Sequence, residues 1–360
     1  MKKQVLHVGS LFAGVGGICL AFLSSETDTV EYKMEWANEI DKYACETYRT
    51  NFKHPLIEGD IYKILNPSLC KDEKEQKRYE GLNAQILSKK IDVLNGGFPC
   101  QAFSIAGQRK GFNDERGHLF LAIIELIQKL SEKHDKPRFL FLENVKNLLT
   151  HDNNKTYAFI KSKLETEGYT VIQTVLNTMD YTDLPQNRER LYILGFQNIE
   201  DSEKFMLFKN LSDYRTTKFV SGDKRVLSLI NKIVPEKYYY TKDKYPLYYN
   251  DKVNLDIDIN EKGQFYQLRR GMYVRKNKSN VCPTLTANMG TGGHNVPLIR
   301  DAHGIRKLTP AETFKLQGFP VDNGYVLPSL ADSYLYKQAG NSVSVPMIKL
   351  IITELAKCVQ

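Results

Sequence analysis

A cysteine presented on a constrained turn is the first residue of this chain with the means to do covalent chemistry. Cys100 lies in Gly96-Gly97-Phe98-Pro99-Cys100-Gln101-Ala102-Phe103-Ser104-Ile105, directly after the apolar run Ile91 to Leu94, which reads as a buried strand. Two glycines permit a sharp turn and Pro99 fixes φ, so the thiol projects past the carboxyl end of a strand, where open α/β sheets build their sites. As a thiolate it is a nucleophile; a thiol packed in the interior is the competing reading. Glu143 emerges from the apolar run Arg138 to Leu142, an expensive place for a carboxylate without a partner or a role. Arg188 and Arg190 precede the strand Leu191 to Phe196, and for them a surface salt-bridge pair is the alternative.

The elements around these residues read as alternating strands and helices. Val5 to Phe12 is a first strand, Ala13-Gly14-Val15-Gly16-Gly17 a glycine-rich turn, and Ile18 to Leu23 a helix. Such a turn lets a ligand approach the backbone, yet it lacks both the G-x-G-x-x-G spacing and the lysine of a P-loop, so phosphate binding is not favoured. A second strand, Glu31 to Ala37, delivers Glu39, and Glu58-Gly59-Asp60-Ile61 offers a carboxylate at the end of a third. Each acid alone reads as an ordinary loop residue. In register with successive strand ends, they make a site for an adenosine-bearing cofactor. Asn66 to Lys90 is a charge-rich, exposed helical or mobile insertion without assigned chemistry. Ala106 to Asn113, with two glycines and the cations Arg109 and Lys110, suits a lid over a charged substrate. Leu119 to Leu130 is a helix, and Ser344 to Cys358 another.

Composition sets the limits. With 360 residues, 42% hydrophobic and 26% charged, the chain has the makings of one large or two modest globular domains. Its longest apolar run, Leu119 to Ile127, is broken by Glu125 and too short for a bilayer, and the amino terminus runs directly into a strand, so a cytosolic protein is expected. The six cysteines are scattered singly with no C-x-x-C pair, which indicates neither a zinc site nor a disulfide framework. A net charge of +8 is compatible with a polyanionic partner.

Taken in order, these motifs closely resemble the bacterial DNA cytosine-5 methyltransferases that accompany restriction enzymes. Phe12-Ala13-Gly14-Val15-Gly16-Gly17 looks like their cofactor loop, Pro99-Cys100-Gln101 their nucleophile motif, Glu143-Asn144-Val145 their acidic motif and Gln186-Asn187-Arg188-Glu189-Arg190 their arginine motif. Arg306-Lys307-Leu308-Thr309-Pro310-Ala311-Glu312 and Gln338-Ala339-Gly340-Asn341-Ser342-Val343 look like the last two. The resemblance covers nearly the whole chain. It implies a Rossmann-like, mainly parallel α/β domain over 1–199, a smaller irregular target-recognition domain over 200–305, and a hinge with a carboxyl-terminal helix returning over 306–360, with DNA in the cleft.

It also implies the chemistry. Carbon 5 of cytosine is too weak a nucleophile until a thiolate, Cys100, adds at carbon 6. Glu143 then stabilises charge at ring nitrogen 3, Arg190 holds the carbonyl on carbon 2, and Arg188 supports the same site or a phosphate. The methyl group comes from S-adenosylmethionine, with no metal. Loss of the carbon 5 proton, for which water is the only evident base, expels the cysteine. Cofactor contacts are implied for Phe12, Ala13, Gly14, Val15, Gly16, Gly17, Glu39, Ile40, Asp60, Ile61, Pro99, Leu119, Asn341 and Ser342. Because the reacting face is hidden in a stacked duplex, the cytosine must swing out. Ser104, Arg109, Lys110, Arg269, Arg270, Arg275, Thr286 and Gly292 are the candidate contacts to double-stranded DNA, and the stretch Gln264 to Asn280 holds five cations and no acid. A monomer with no membrane partner is expected, alongside a cognate endonuclease acting on the same site. Two rivals stay open: a tRNA cytosine-5 methyltransferase, against which the absence of a Cys-Phe-Thr signature argues, and a non-catalytic DNA-binding relative, against which Cys100 and Glu143 argue. A base deaminase is excluded because Cys100 is followed by Gln101-Ala102-Phe103 rather than completing Pro-Cys-x-x-Cys.

Overall fold

Strands with apolar residues on both faces need helices on both sides, and the chain supplies them. A computed structural model describes residues 3–25, 27–98, 118–220, 222–269, 271–277, 279–291 and 297–359. The chain packs as two compact units, one of Met1–Leu176, Arg190–Asp213 and Ile348–Gln360, the other of Asn177–Glu189 and Tyr214–Met347.

The first unit is built on seven strands. They are β1 (Gln4–Leu11), β2 (Val30–Glu39), β3 (Leu56–Glu58), β4 (Val93–Gly96), β5 (Phe139–Val145), β6 (Thr170–Asn177) and, after the two-residue β7 (Gln186–Asn187), β8 (Glu189–Phe196). Their order in the sheet is β3-β2-β1-β4-β5-β8-β6. The pairs β1 with β2 and β4, β2 with β3, and β4 with β5 are parallel, while β8 runs antiparallel to β5. The expected mainly parallel α/β fold is therefore present. Strand order reverses between β1 and β4, and at such a switch point the connections diverge and leave a crevice beyond the strand ends. Two fully buried polar side chains lock that point: Ser10 Oγ donates to Asn95 Oδ1 at 2.8 Å, and Asn95 Nδ2 donates to the Gly9 carbonyl at 3.1 Å.

Helices α1 (Gly17–Leu23), α2 (Lys42–Asn51), α3 (Ile61–Leu65), α4 (Glu73–Leu87), α5 (His118–Lys133) and α6 (Lys155–Thr166) follow in the same unit. The charge-rich stretch is thus an ordered helix, α4, capped by Asp72 and buried at Tyr79, Ile86 and Leu87. One large apolar core contains Trp36, Ile123, Ile127, Leu140, Leu142 and Ile193. Tyr32 on β2 donates a buried hydrogen bond to the Ile352 carbonyl at 2.8 Å, so the end of the chain completes this unit.

The second unit carries a four-stranded sheet of β9 (Tyr266–Arg269), β10 (Tyr273–Lys276), β12 (Pro297–Arg300) and β13 (Ile305–Lys307), ordered β10-β9-β12-β13. Between them β11 (Cys282–Pro283) pairs in parallel with β7. Its small core holds Val253, Leu255, Ile259, Tyr266, Leu268, Leu298 and Ile305. Helices α7 (Pro310–Lys315) and α8 (Asp332–Asn341) complete it, while α9 (Val345–Lys357) begins here and runs from Ile348 onward in the first unit.

Candidate active site

The glycine-rich turn closes β1 in a strained conformation. Phe12, Gly14 and Gly16 all have left-handed backbone, at φ 53°, 55° and 83°, and for Phe12 that carries a real steric cost. Glu39, the last residue of β2, holds the turn: Oε2 accepts from Gly14 N at 2.7 Å, while Oε1 accepts from Ile40 N and Asp41 N, both at 2.8 Å. The buried amide of Asn38 donates to the carbonyls of Ile57 and Gly59, drawing the end of β3 alongside. A Cβ added at Gly14 would meet nothing within 4 Å, so this face of the turn is open to a ligand. Ile40 is 63% exposed beside it, an apolar surface fit to cover a flat ring. Asp60 caps α3 through Tyr62 N at 2.9 Å, and the Ile61 side chain is buried, which leaves only its backbone for a ligand. Phe12 and Leu119 both lie at the margin of the large core. Open backbone, two carboxylates and an apolar cover suit an adenosine with hydroxyl and amino donors and no phosphate.

Glu143 and Arg190 come together because β5 and β8 are antiparallel. Val145 pairs with Arg190 and Glu143 with Tyr192, which makes the acid and the guanidinium diagonal neighbours. Arg190 Nε stands 3.2 Å from Glu143 Oε1, with both side chains nearly buried. Beyond that ion pair, Glu143 Oε1 has no hydrogen-bond partner among the described residues. A buried carboxylate oxygen in that state is costly unless a ligand completes it. A methyl group on Gly97 would come 3.5 Å from Glu143 Oε2, so the acid lies against the backbone that leads into Cys100. Cys100 itself, Pro99, Ser104, Arg109, Lys110, Arg270 and Gly292 lie outside the described residues.

Asn144 was not among the expected site residues. Its Nδ2 donates to the Phe98 carbonyl at 2.9 Å and its Oδ1 accepts from Val145 N at 2.8 Å, tying β5 to the chain just before Cys100. A polar side chain inside so apolar a strand was the available signal.

Arg188 differs from the expectation of sharing Arg190's site or a phosphate. It is 2% exposed, and its guanidinium donates to the carbonyls of Leu285, at 3.1 Å, and Ser342. It is thereby a clamp between segments of the second unit, because two inward-facing carbonyls need a donor and no water reaches them. Gly340 serves the same junction: an added Cβ would lie 2.2 Å from the Thr286 carbonyl carbon. Ser342 is buried, Asn341 exposed, and Thr286 Oγ1 donates to Asn288 Oδ1 at 2.8 Å. The 306–312 motif is structural as well. Fully buried Arg306 forms a double hydrogen bond with Glu312 at 2.8 and 2.9 Å and a further one with Asp301 at 2.6 Å, while Glu312 and Thr309 close a capping box on α7.

The β9–β10 hairpin carries Arg269 and Arg275. Arg275 donates to Gln267 at 2.5 Å, and Lys276 pairs with Glu261, so part of the local charge is already compensated from outside the acid-free stretch. Met272 and Tyr273 at its tip are 66% and 54% exposed.

The family described as C-5 cytosine-specific DNA methylase matches residues 6–357. The chain belongs to that family. This methylase is accordingly a DNA cytosine-5 methyltransferase, and family membership implies S-adenosylmethionine as its methyl donor. It is 46% identical over 354 residues to the Type II methyltransferase M.Bsp6I of Bacillus sp. (strain RFL6), covering 98% of this chain and 99% of that one. It is 35% identical to the Type II methyltransferase M1.ScrFI of Lactococcus lactis subsp. cremoris, over 97% and 78% of the two chains. The crystal structure of S. pombe Dnmt2 methyltransferase superposes over 97% of this methylase and 98% of that chain with a TM-score of 0.67; at 18% identity this is a likeness of fold. Among the described residues of the methylase no helix is long and apolar enough to cross a membrane.

Proposed function

We propose that this methylase modifies one cytosine within a short, defined duplex sequence, protecting cytoplasmic DNA from a restriction endonuclease that cuts the same site, and that it works as a monomer. The Type II relatives support that setting. Residues 1–199 carry catalysis and cofactor binding, 200–305 read the target, and 306–360 form the hinge and returning helix.

Cys100 as thiolate adds to carbon 6 of the flipped cytosine. A free thiol has a pKa of about 8.5, so neighbouring positive charge is needed to hold the thiolate. Glu143 donates to or shares a proton with ring nitrogen 3 and accepts from the exocyclic amine, while Arg190 holds the carbon 2 carbonyl. S-adenosylmethionine, when bound, supplies an electrophilic methyl group on a sulfonium. Glu39 and Asp60 accept from its ribose and adenine donors, Ile40 covers the ring, and the open face of Gly14 admits it. Departure of the carbon 5 proton to water then returns the bonding pair to sulfur and frees Cys100.

The observation that carries this reading is the buried Glu143–Arg190 pair, whose Oε1 has no hydrogen-bond partner among the described residues, set against the chain leading to Cys100. The test is transfer of labelled methyl groups to duplex DNA and to tRNA, with bisulfite sequencing of the product. Wild type is expected to label duplex DNA at one recurring sequence and Cys100→Ser to label nothing, and a duplex bearing 5-fluorocytosine should trap the wild type through Cys100. Labelling of tRNA alone, or trapping through another residue, overturns the proposal.

A further inference from the structure

Gly16 ends the left-handed turn, and an aromatic wall presses on its Cα. A Cβ there would lie 2.2 Å from Phe52 Cε2 and 3.0 Å from Tyr48 Cε2. Phe52 follows α2 and Tyr48 lies on it, their ring centroids 4.5 Å apart. His54 packs 5.5 Å from both rings. The Tyr48 hydroxyl stands 2.5 Å from His54 Nε2 and 3.1 Å from Cys19 Sγ on α1. Burial pushes His54 down to about 4, so the ring is neutral at pH 7. With one proton, the hydroxyl donates to the sulfur and accepts from the His54 Nε2–H, which fixes the tautomer. The chain from His54 through Tyr48 to Cys19 thus bolts the helix after the turn to the end of α2.

Two supports of the turn come from one stretch of chain. Glu39, at the end of β2, fixes Gly14 by hydrogen bonding; Phe52, past the end of α2, fixes Gly16 by contact. A positive φ at Gly16 is one of several conformations open to glycine, and contact with a rigid ring selects among them.

We infer that Phe52, braced by the Tyr48–His54 pair, is a positioning residue for the cofactor turn: it touches no ligand itself and sets cofactor affinity by preorganising Phe12 to Gly17. This rests on the reading of that turn as the cofactor loop. Phe52 and His54 belong to none of the sequence motifs.

The test is calorimetric titration of the full chain with S-adenosylmethionine in the absence of DNA, for wild type, Phe52→Ala, Phe52→Leu and His54→Gln, with thermal melting and steady-state kinetics alongside. Phe52→Ala is expected to raise the cofactor Kd about tenfold, Phe52→Leu less, because part of the wall remains, and His54→Gln less still. KM for the cofactor should rise more than kcat falls, and affinity for duplex DNA should stay within twofold. A folded Phe52→Ala that binds cofactor within twofold of wild type overturns the inference. So does failure of all three variants to fold, which would make the cluster ordinary core. A wild type that binds no S-adenosylmethionine would instead refute the cofactor-loop reading.

Discussion

Arg188 and Arg190 are two positions apart, yet one is tied to two backbone carbonyls and the other faces Glu143, and substitution separates them. Arg188→Ala removes the donor to two carbonyls inside the second unit, so it should lower stability by at least about 2 kcal/mol, visible as a lower Tm. Arg190→Ala should leave Tm closer to wild type and abolish most methyl transfer. Equal loss of stability in both would mean that Arg190 is also structural. Glu143→Gln keeps shape and removes the ionisable proton. Its kcat should fall roughly 10² to 10⁴-fold with cofactor affinity retained, and a fall below tenfold in single-turnover labelling would exclude Glu143 from proton handling.

Elements impose their own tests. Gly340 is the penultimate residue of α8, and the obstacle to a larger residue there is backbone, 2.2 Å from where a Cβ would stand, so neither partner yields by changing rotamer. Gly340→Ala should cost about 1 to 3 kcal/mol or more and displace the 284–289 segment. At Gly14 the space is open and only the φ of 55° objects, so Gly14→Ala should cost about 1 to 2 kcal/mol while narrowing the face left for the cofactor. If melting shows Gly340→Ala to be the milder change, the Thr286 approach is not what glycine serves. On the β9–β10 hairpin, Arg269→Ala should weaken duplex binding and reduce the slope of log K against log salt by about one unit if Arg269 holds a phosphate. If it reads guanine, the loss appears at one base pair only, at about 1 to 3 kcal/mol. Unchanged binding to every duplex at every salt concentration would take the hairpin off the DNA.

For the molecule as a whole, pH offers a global readout. His54 titrates near 4 when folded against an ordinary 6.5, because burial disfavours its charged form. The unfolded chain therefore takes up this proton first as pH falls. Stability linked to His54 is complete above pH 6.5, erodes as pH drops toward 4, and levels off below. In His54→Gln that component is missing, so the Tm difference from wild type should be widest above pH 6.5 and close toward pH 4. Parallel melting curves for the two proteins across that range would show that His54 is not buried as a neutral ring.

The sequence by itself determined the alternation of strands and helices, the chemical types at each strand end and the order of the motifs, because apolar period and turn chemistry are local. Glu39 and Glu143 could be placed at strand ends for that reason, Glu143 closing an apolar run and Glu39 a strand of alternating character. Only the tertiary structure decided how neighbours in sequence divide their labour. Arg188 falls in the break between β7, which ends at Asn187, and β8, which begins at Glu189, so strand alternation cannot say which way it points. Its partners, Leu285 and Ser342, are distant in the chain. Asn144 reads as an ordinary residue of a motif until Phe98 is placed against it. Phe52 carries no motif at all; its meaning lies in a contact with Gly16, and a contact between distant residues is a property of packing, which no local pattern encodes.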